Sequence, residues 1–327
     1  MPSIIDTVTP ALRKIPGVTA IVHRLSFIQN IISNRKYNYY KNLHPEKYPQ
    51  ELSRWYQSAT GKNLDLKNPK TFDEKIQWMK LYDSTPLKTQ LADKYLVRDY
   101  ISEKIGDEYL IPLLGVWGSF DDIDFDSLPN QFVLKANHGS GWNIIVRDKS
   151  KFDKKEAKKK FKKWMNTNFA YTAGLELHYR DIKPLIIAEK YLENEGGELF
   201  DYKILCFSGN AKYIWVDYGR YTNHCRDIYN RDWQLQPFTI IYPNSNRNAD
   251  KPELLEQMLK LSEILATDFP HVRVDFYIVA GKIYFGEMTF TSNNGINSLC
   301  PEIWGNVLGN EIKLDYKNNH NITDELL

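Results

Sequence analysis

Between Val272 and Met288 apolar and polar side chains alternate with the two-residue period of strands. Val272, Val274, Phe276 and Ile278 fall between Arg273, Asp275 and Tyr277, and Ala280-Gly281 leads into a second run, Lys282 to Met288. The pattern predicts a β-hairpin. In it Asp275 and Glu287 reach neighbouring strands with their carboxylates facing one space, and Arg273 projects to the same face.

Elsewhere the period changes along the chain. Val18, Ile21, Val22, Leu25, Ile28, Ile31 and Ile32 lie at helical spacing with basic residues between them, a helix that packs on its own domain or touches a membrane surface. Pro45 and Pro49 interrupt the pattern before a short helix over Glu51–Ser58. Thr71 with Glu74 is a capping-box pattern, and Ile76, Met79 and Leu81 give the following helix its apolar stripe. A second amphipathic helix is expected over Ala92–Ile101, ending near Gly106. Ile111–Trp117, Phe132–Leu134 and Leu185–Leu192 read as short buried strands, the last turned by Gly196-Gly197. Asp201–Phe207 and Ala211–Asp217 make a hairpin around Ser208-Gly209-Asn210. Asn223–Pro243 is loop-rich and reads as a substrate-covering segment. Asp250–Ala266 is a helix with Asp250 and Glu253 as its cap, followed by the opening hairpin, the Asn293-Asn294-Gly295 turn, a short segment with Pro301 and Trp304, and a polar, frayed tail from Lys317.

Composition narrows the class. The chain has 327 residues, enough for a substantial core and two or three subdomains. Its 43 basic and 41 acidic residues nearly cancel, so no overall field points to nucleic acid. Cys206, Cys225 and Cys300 are isolated, with no C-x-x-C spacing for zinc or a disulfide framework. No apolar run approaches the ~20 residues of a membrane span, and Arg13, Lys14, His23 and Arg24 break any secretory pattern. The expected protein is globular and cytoplasmic.

Chemistry concentrates in three places. Two carboxylates side by side repel unless a cation sits between them, and hard oxygen ligands of this kind suit Mg²⁺. A surface hairpin with scattered charges is the plain alternative. Gln131–Asp148 reads strand, Lys135, the turn Asn137-His138-Gly139-Ser140-Gly141, strand; its glycines allow backbone N–H groups to approach oxyanions, with Lys135 as a point charge. The spacing is neither a Walker A loop nor a dinucleotide fingerprint, and an ordinary hairpin turn reads equally well. Lys149–Lys163 is the one strongly basic run, either a solvated helix or an attractor for anionic lipid or acidic polysaccharide.

Taken together, NPKTFDEKIQWMKLYD, LADKYLVRDYI, LIPLLGVW, LPNQFVLKANHGSGWNIIV, AEKYLE, DYKILCFSGNAKYI and VRVDFYIVAGKIYFGEMTF resemble the TupA-like ATP-grasp family of bacterial surface-polysaccharide biosynthesis, over roughly Asn68 to Gly295. The resemblance implies an α+β ATP-grasp fold in which two α+β subdomains clasp ATP. The implied divisions are a helical extension over 1–66, an N-terminal α/β subdomain over 67–130, a small subdomain with the glycine loop over 131–192, and a large subdomain with the metal site over 193–327. It also implies site roles. Lys94 and Lys135 match the lysines that reach the nucleotide phosphates, and Gly139, Ser140 and Gly141 match the closing loop. Glu189 and Leu192 match the hinge strand that receives adenine and ribose. Asp275 and Glu287 match magnesium ligands, Arg273 the arginine on the transferred phosphoryl group, and Lys203 a further cation. The family's asparagine two residues after the glutamate is Thr289 here, and Asn293 could compensate.

The implied reaction is ATP-dependent, Mg²⁺-assisted amide formation between a glycan carboxylate, as on a uronic acid, and an amine such as an amino acid, through an acyl phosphate. A kinase acting on a glycan hydroxyl and a glycosyltransferase are the alternatives; no D-x-D motif supports the latter. Peripheral association with the inner face of the membrane, or with polysaccharide assembly machinery, is a further expectation.

Overall fold

Two antiparallel sheets carry the fold. The computed structural model describes residues 33–193, 199–219, 223–245, 247 and 249–315. The apolar stretch over 15–32, the Gly196-Gly197 turn and the tail from Lys317 lie outside the described residues. Helices α1 (described over 33–41), α2 (Tyr48–Thr60), α3 (Phe72–Tyr82), α4 (Pro86–Ala92) and α5 (Val97–Lys104) precede strand β1 (Leu113–Trp117). Then come β2 (Phe132–Ala136), β3 (Asn143–Val146), α6 (Lys154–Met165), β4 (Ile186–Lys190), β5 (Asp201–Phe207), β6 (Asn210–Tyr218), β7 (Cys225–Asn230) and β8 (Thr239–Ile240). The chain continues through α7 (Leu255–Ala266), β9 (His271–Val279), β10 (Lys282–Thr289), β11 (Leu299–Cys300) and α8 (Ile303–Glu311).

The smaller sheet has the order β1-β4-β2-β3, and the larger β10-β9-β5-β6-β7. Both are amphipathic by simple alternation. In the smaller sheet Phe132, Leu134, Ala136, Ile186 and Ala188 pack on Ala157 and Phe161 of α6 and on Phe120. In the larger, Ile204, Cys206, Ile214, Val216, Val272, Val274 and Phe276 pack on Leu255, Met258, Leu259 and Leu265 of α7. The opposite faces carry the charged residues, so the same alternation that builds each core delivers functional side chains to the other side.

The hairpins β2–β3, β5–β6 and β9–β10 form as the alternation predicts. The capping box is present too: the Glu74 N–H donates to Thr71 Oγ1 at 3.3 Å, and the Thr71 N–H donates to Glu74 Oε2 at 2.8 Å. Four expectations need correction or qualification. The helix expected over Ala92–Ile101 breaks at Asp93, whose carboxylate takes the N–H groups of Tyr95 and Leu96 and so competes with the helical ladder. The segment over Asn223–Pro243 is loop-rich, as read, but not loop throughout. It holds β7 and β8, and β7 escapes an apolar-alternation reading because Arg226 is satisfied by Asp217 across the ladder. Helix α7 starts at Leu255 without a side-chain cap from Asp250 or Glu253, its first N–H going to the Pro252 carbonyl. The segment after Pro301 is the helix α8, tied to α3 by Lys75 Nζ, which donates to the Gly309 and Ile312 carbonyls at 2.7 and 2.8 Å.

The loop after β10 is held by a buried lysine. Lys80 of α3 is fully buried and donates to Gln77 Oε1 at 2.9 Å, to the Asn294 carbonyl at 2.7 Å and to Asn294 Oδ1, while Trp55 lies 4.7 Å from its ammonium. Asn293 and Asn294 take left-handed backbone, a conformation asparagine tolerates better than most residues. Burial pulls the Lys80 ammonium down to about 7, against the opposing charges of Glu176 and Asp73. Lys80→Met leaves Glu176 and the Asn294 carbonyl buried without their cation. It should lower unfolding free energy by about 3 kcal/mol or more, read from urea denaturation midpoints; an unchanged midpoint would show that the lysine does not clamp the loop.

Candidate active site

A cleft of about 770 Å³ lies between the charged faces of the two sheets. From the smaller sheet, β2 and β4 present Lys135 and Glu189. Val133 stands opposite Glu189, and Lys135 opposite Ile187, so both charged residues share the cleft face. Lys135 Nζ donates to Glu189 Oε2 at 2.5 Å, and Arg98 approaches the other oxygen at 3.5 Å. Leu192, just beyond β4, lines the same wall.

The glycine-containing turn joins β2 to β3 and carries Ser140 and Gly141 into the cleft lining. Gly141 has φ +70, where a side chain would be strained. Gly139 lies against Trp142 so closely that an added Cβ would stand 2.5 Å from the indole. Its carbonyl accepts from Lys94 Nζ at 2.7 Å. Lys94 therefore reaches the cleft from the break between α4 and α5, fixed there because Asp93 Oδ2 accepts from Asn137 at 2.9 Å. His138 is a structural residue, as expected of a loop histidine: its ring nitrogens lie 3.1 Å from Asn137 Oδ1 and from the Trp164 carbonyl.

The larger sheet supplies the acidic wall. Asp275 stands directly opposite Glu287 across β9–β10 and directly opposite Lys203 across β9–β5. Strict alternation would send Glu287 to the same side as Phe285, which faces the core. A bulge between Phe285 and Glu287 re-aims it into the cleft. Gly286 makes the bulge, for a Cβ there would meet the Asp275 carbonyl oxygen at 3.0 Å and the Tyr277 ring at 3.1 Å.

Arg273 binds both carboxylates. Its Nε and Nη2 donate to Asp275 Oδ1 and Oδ2 at 2.6 and 2.7 Å, and Nη2 also donates to Glu287 Oε1 at 2.9 Å. Thr289 Oγ1 donates to the same Glu287 oxygen at 2.9 Å. Burial alone would raise the Glu287 carboxyl, but Lys94, Arg273, Thr289 and Lys203 outweigh it and hold it down at about 2. Asp275 lies deeper. Burial outweighs Arg273 and Lys203 there, and neighbouring Asp201 adds repulsion, so its carboxyl is raised to about 6.

Lys203 is buried and forms ion pairs with Asp201 and with Asp217, the latter at 3.0 Å. Asp217 in turn accepts both forks of Arg226 at 2.6 and 3.0 Å. Asp201 and Asp217 line the cleft while Lys203 lies beneath them. Sequence reasoning missed both aspartates; the signal was there in two facing strands that each place an acid on the Lys203 face. Asn293 is not joined to the acidic pair by any bond among the described residues, and its amide donates to Asn297 Oδ1 at 2.7 Å.

A family model described as TupA-like ATPgrasp matches residues 74–313. The chain belongs to the TupA-like ATPgrasp family. Its fold is therefore the α+β ATP-grasp fold. Solved structures with weaker likeness include a D-alanine–D-alanine ligase from Bacillus anthracis complexed with ATP. It is 17% identical, with a TM-score of 0.37, 62% of this chain covered and 54% of that one. A second structure of the Bacillus anthracis ligase is 16% identical at TM-score 0.40, covering 72% and 70%. That from Helicobacter pylori is 16% identical at TM-score 0.33, covering 72% and 61%. This chain thus matches about half the length of the first of these structures. No curated protein matches it in sequence.

In this family member the Gly286 bulge leaves little room for a side chain in the acidic wall. Gly286→Ala should cost about 1–3 kcal/mol in unfolding free energy, because the Asp275 backbone is the atom that must give way. A variant as stable as the parent would mean that β10 reaches its register without the bulge.

Proposed function

We propose that the chain is an ADP-forming carboxylate–amine ligase. It would use ATP and Mg²⁺ to form an amide, through an acyl phosphate, on a uronic-acid-containing surface or capsular polysaccharide or its precursor, with an amino acid as amine. The observation that carries this reading is the convergence on one cleft of Lys94, Lys135 and Glu189 from one side with Asp275 and Glu287 from the other.

The donor set fits the metal. Glu287 is held ionised, and both of its hydrogen bonds fall on Oε1, which leaves Oε2 for another partner. Asp275 stands beside it, and Mg²⁺ favours one or two carboxylates completed by phosphate oxygens and water. Bound there, Mg²⁺ would supply positive charge to the β- and γ-phosphates. Thr289 orients Glu287 through its hydroxyl.

The protein's own residues account for the rest. Lys94 and Lys135 present point charges to the phosphates, and the Gly139-Ser140-Gly141 turn offers backbone N–H groups over them. Glu189 and Leu192 border the nucleoside. A substrate carboxylate attacking the γ-phosphorus brings two anions together, a repulsion that Arg273 and Lys135 offset as charge moves to the leaving ADP. Lys203 bears on this centre through the charge of Asp275. Closure of the glycine turn would keep water from the acyl phosphate until the amine arrives. ATP is a cytoplasmic substrate, and its use supports a cytoplasmic reaction.

Incubated with ATP, Mg²⁺, uronate-containing glycans and a pool of amino acids, the protein should release ADP and phosphate together and yield a product of amide mass. Glu287→Gln should abolish this turnover while the protein stays folded. A phosphorylated glycan without free phosphate would replace the ligase by a kinase.

The raised carboxyl of Asp275 gives a second test. A proton and Mg²⁺ compete for it, so the Mg²⁺ concentration for half-maximal turnover should climb as pH falls through about 6, by about tenfold per unit below it. A flat Mg²⁺ requirement from about pH 7 to about pH 5 would remove Asp275 from the ligand set.

A further inference from the structure

Helix α6, KKEAKKKFKKWM, places seven lysines and one glutamate in 12 residues. Its buried side is narrow. Ala157 and Phe161, one turn apart, sit in the core of the smaller sheet, and every lysine is exposed. Lys158 pairs with Asp121 at 2.6 Å, and Lys154 lies 4.5 Å from the Phe125 ring. The ammonium groups of Lys155, Lys159, Lys160, Lys162 and Lys163 make no hydrogen bond or ion pair among the described residues. A chain whose net charge is only +2 thus concentrates a surplus of positive charge on one short element.

These lysines work against the helix that carries them. Lys154 and Lys155 stand in its first turn, where the backbone dipole disfavours cations, with Asp153 capping the Glu156 N–H at 2.9 Å as partial relief. Lys155 and Lys159, and Lys159 and Lys163, are like charges one turn apart. Solubility or helix formation would be served better by alternating signs.

The helix lies next to the cleft. Trp164 at its end stacks on Trp142, 6.3 Å between ring centres and 8° from parallel, and its carbonyl meets His138 of the glycine-containing turn. We propose that the exposed lysines of α6 form a docking surface for a polyanionic glycan, holding a carboxylate-bearing polymer close to the cleft. This rests on the ligase reading for its choice of polymer. The chemistry of the face favours a polymer over a bilayer: the lysines fan around most of the helix, and its apolar residues pack on the smaller sheet, Ala157 and Phe161 fully and Trp164 and Met165 in part, leaving little to enter acyl chains. Point charges on flexible stems match a chain that carries one carboxylate per sugar, and a polymer held there gains a high effective concentration at the cleft.

The test uses the full chain, without ATP. Binding to polygalacturonate, to neutral dextran, and to vesicles of equal parts phosphatidylglycerol and phosphatidylcholine is measured for the native protein and for a variant with Lys155, Lys159, Lys160, Lys162 and Lys163 all changed to Gln. Polygalacturonate should bind in a salt-sensitive way, dextran should not, and the variant should bind polygalacturonate at least about tenfold more weakly at low salt. Because glutamine removes repulsion without entering the core, the variant should melt no lower than the parent. Equal polygalacturonate affinity of the two proteins overturns the proposal, and so does binding to the vesicles alone. As no turnover is measured, polymer binding by a protein that never consumes ATP would uphold the dock and discard the ligase.

Discussion

Everything at the cleft depends on Arg273 holding two carboxylates that would otherwise repel. Asp275 and Glu287 face each other across one hairpin, and Asp275 lies where water reaches poorly and a buried ion carries a desolvation cost of several kcal/mol. A single guanidinium that forks onto Asp275 and reaches Glu287 makes the arrangement affordable. The same fork divides the pair into unequal members. Glu287 stays ionised at the mouth, whereas Asp275, deeper and beside Asp201, is the one that resists ionisation.

Around that pair the larger sheet reads as rows of compensating charge. One row runs Glu287, Asp275, Lys203; the next runs Asp201, Asp217, Arg226. Each acid on this face pairs with a base, Glu287 and Asp275 with Arg273 and both Asp201 and Asp217 with Lys203, so the face is polar without being strongly charged overall. A face of this kind offers carboxylate oxygens and cationic side chains side by side. The opposite wall, with Lys94 and Lys135, is more plainly positive, and Glu189 moderates it.

Much of this was legible in the sequence, and the failures have physical causes. Alternation puts Arg273 and Asp275 on one side, because a half-buried sheet forces a period of two, but by itself it would leave Glu287 on the other. The bulge at Gly286 that makes the alignment true appears in the sequence only as a glycine inside a strand. Strand β7 stayed hidden because its inward positions are filled by a paired arginine where a hydrophobe would be expected. Lys94 was placed on a helix because the apolar spacing around it is helical; the Asp93 carboxylate, acting through two backbone N–H groups, decided otherwise. Periodicity reports burial, and these exceptions are all places where hydrogen bonding overrode it.

The stacked indoles of Trp142 and Trp164 have a further consequence. One belongs to the end of the glycine-containing turn and the other to the rigid helix beneath it, so the turn cannot lift as a free flap without sliding one ring across the other. Two chromophores this close and nearly parallel share their electronic transitions. The position of the turn is therefore inscribed in the protein's own near-ultraviolet dichroism, an optical signal that needs no label.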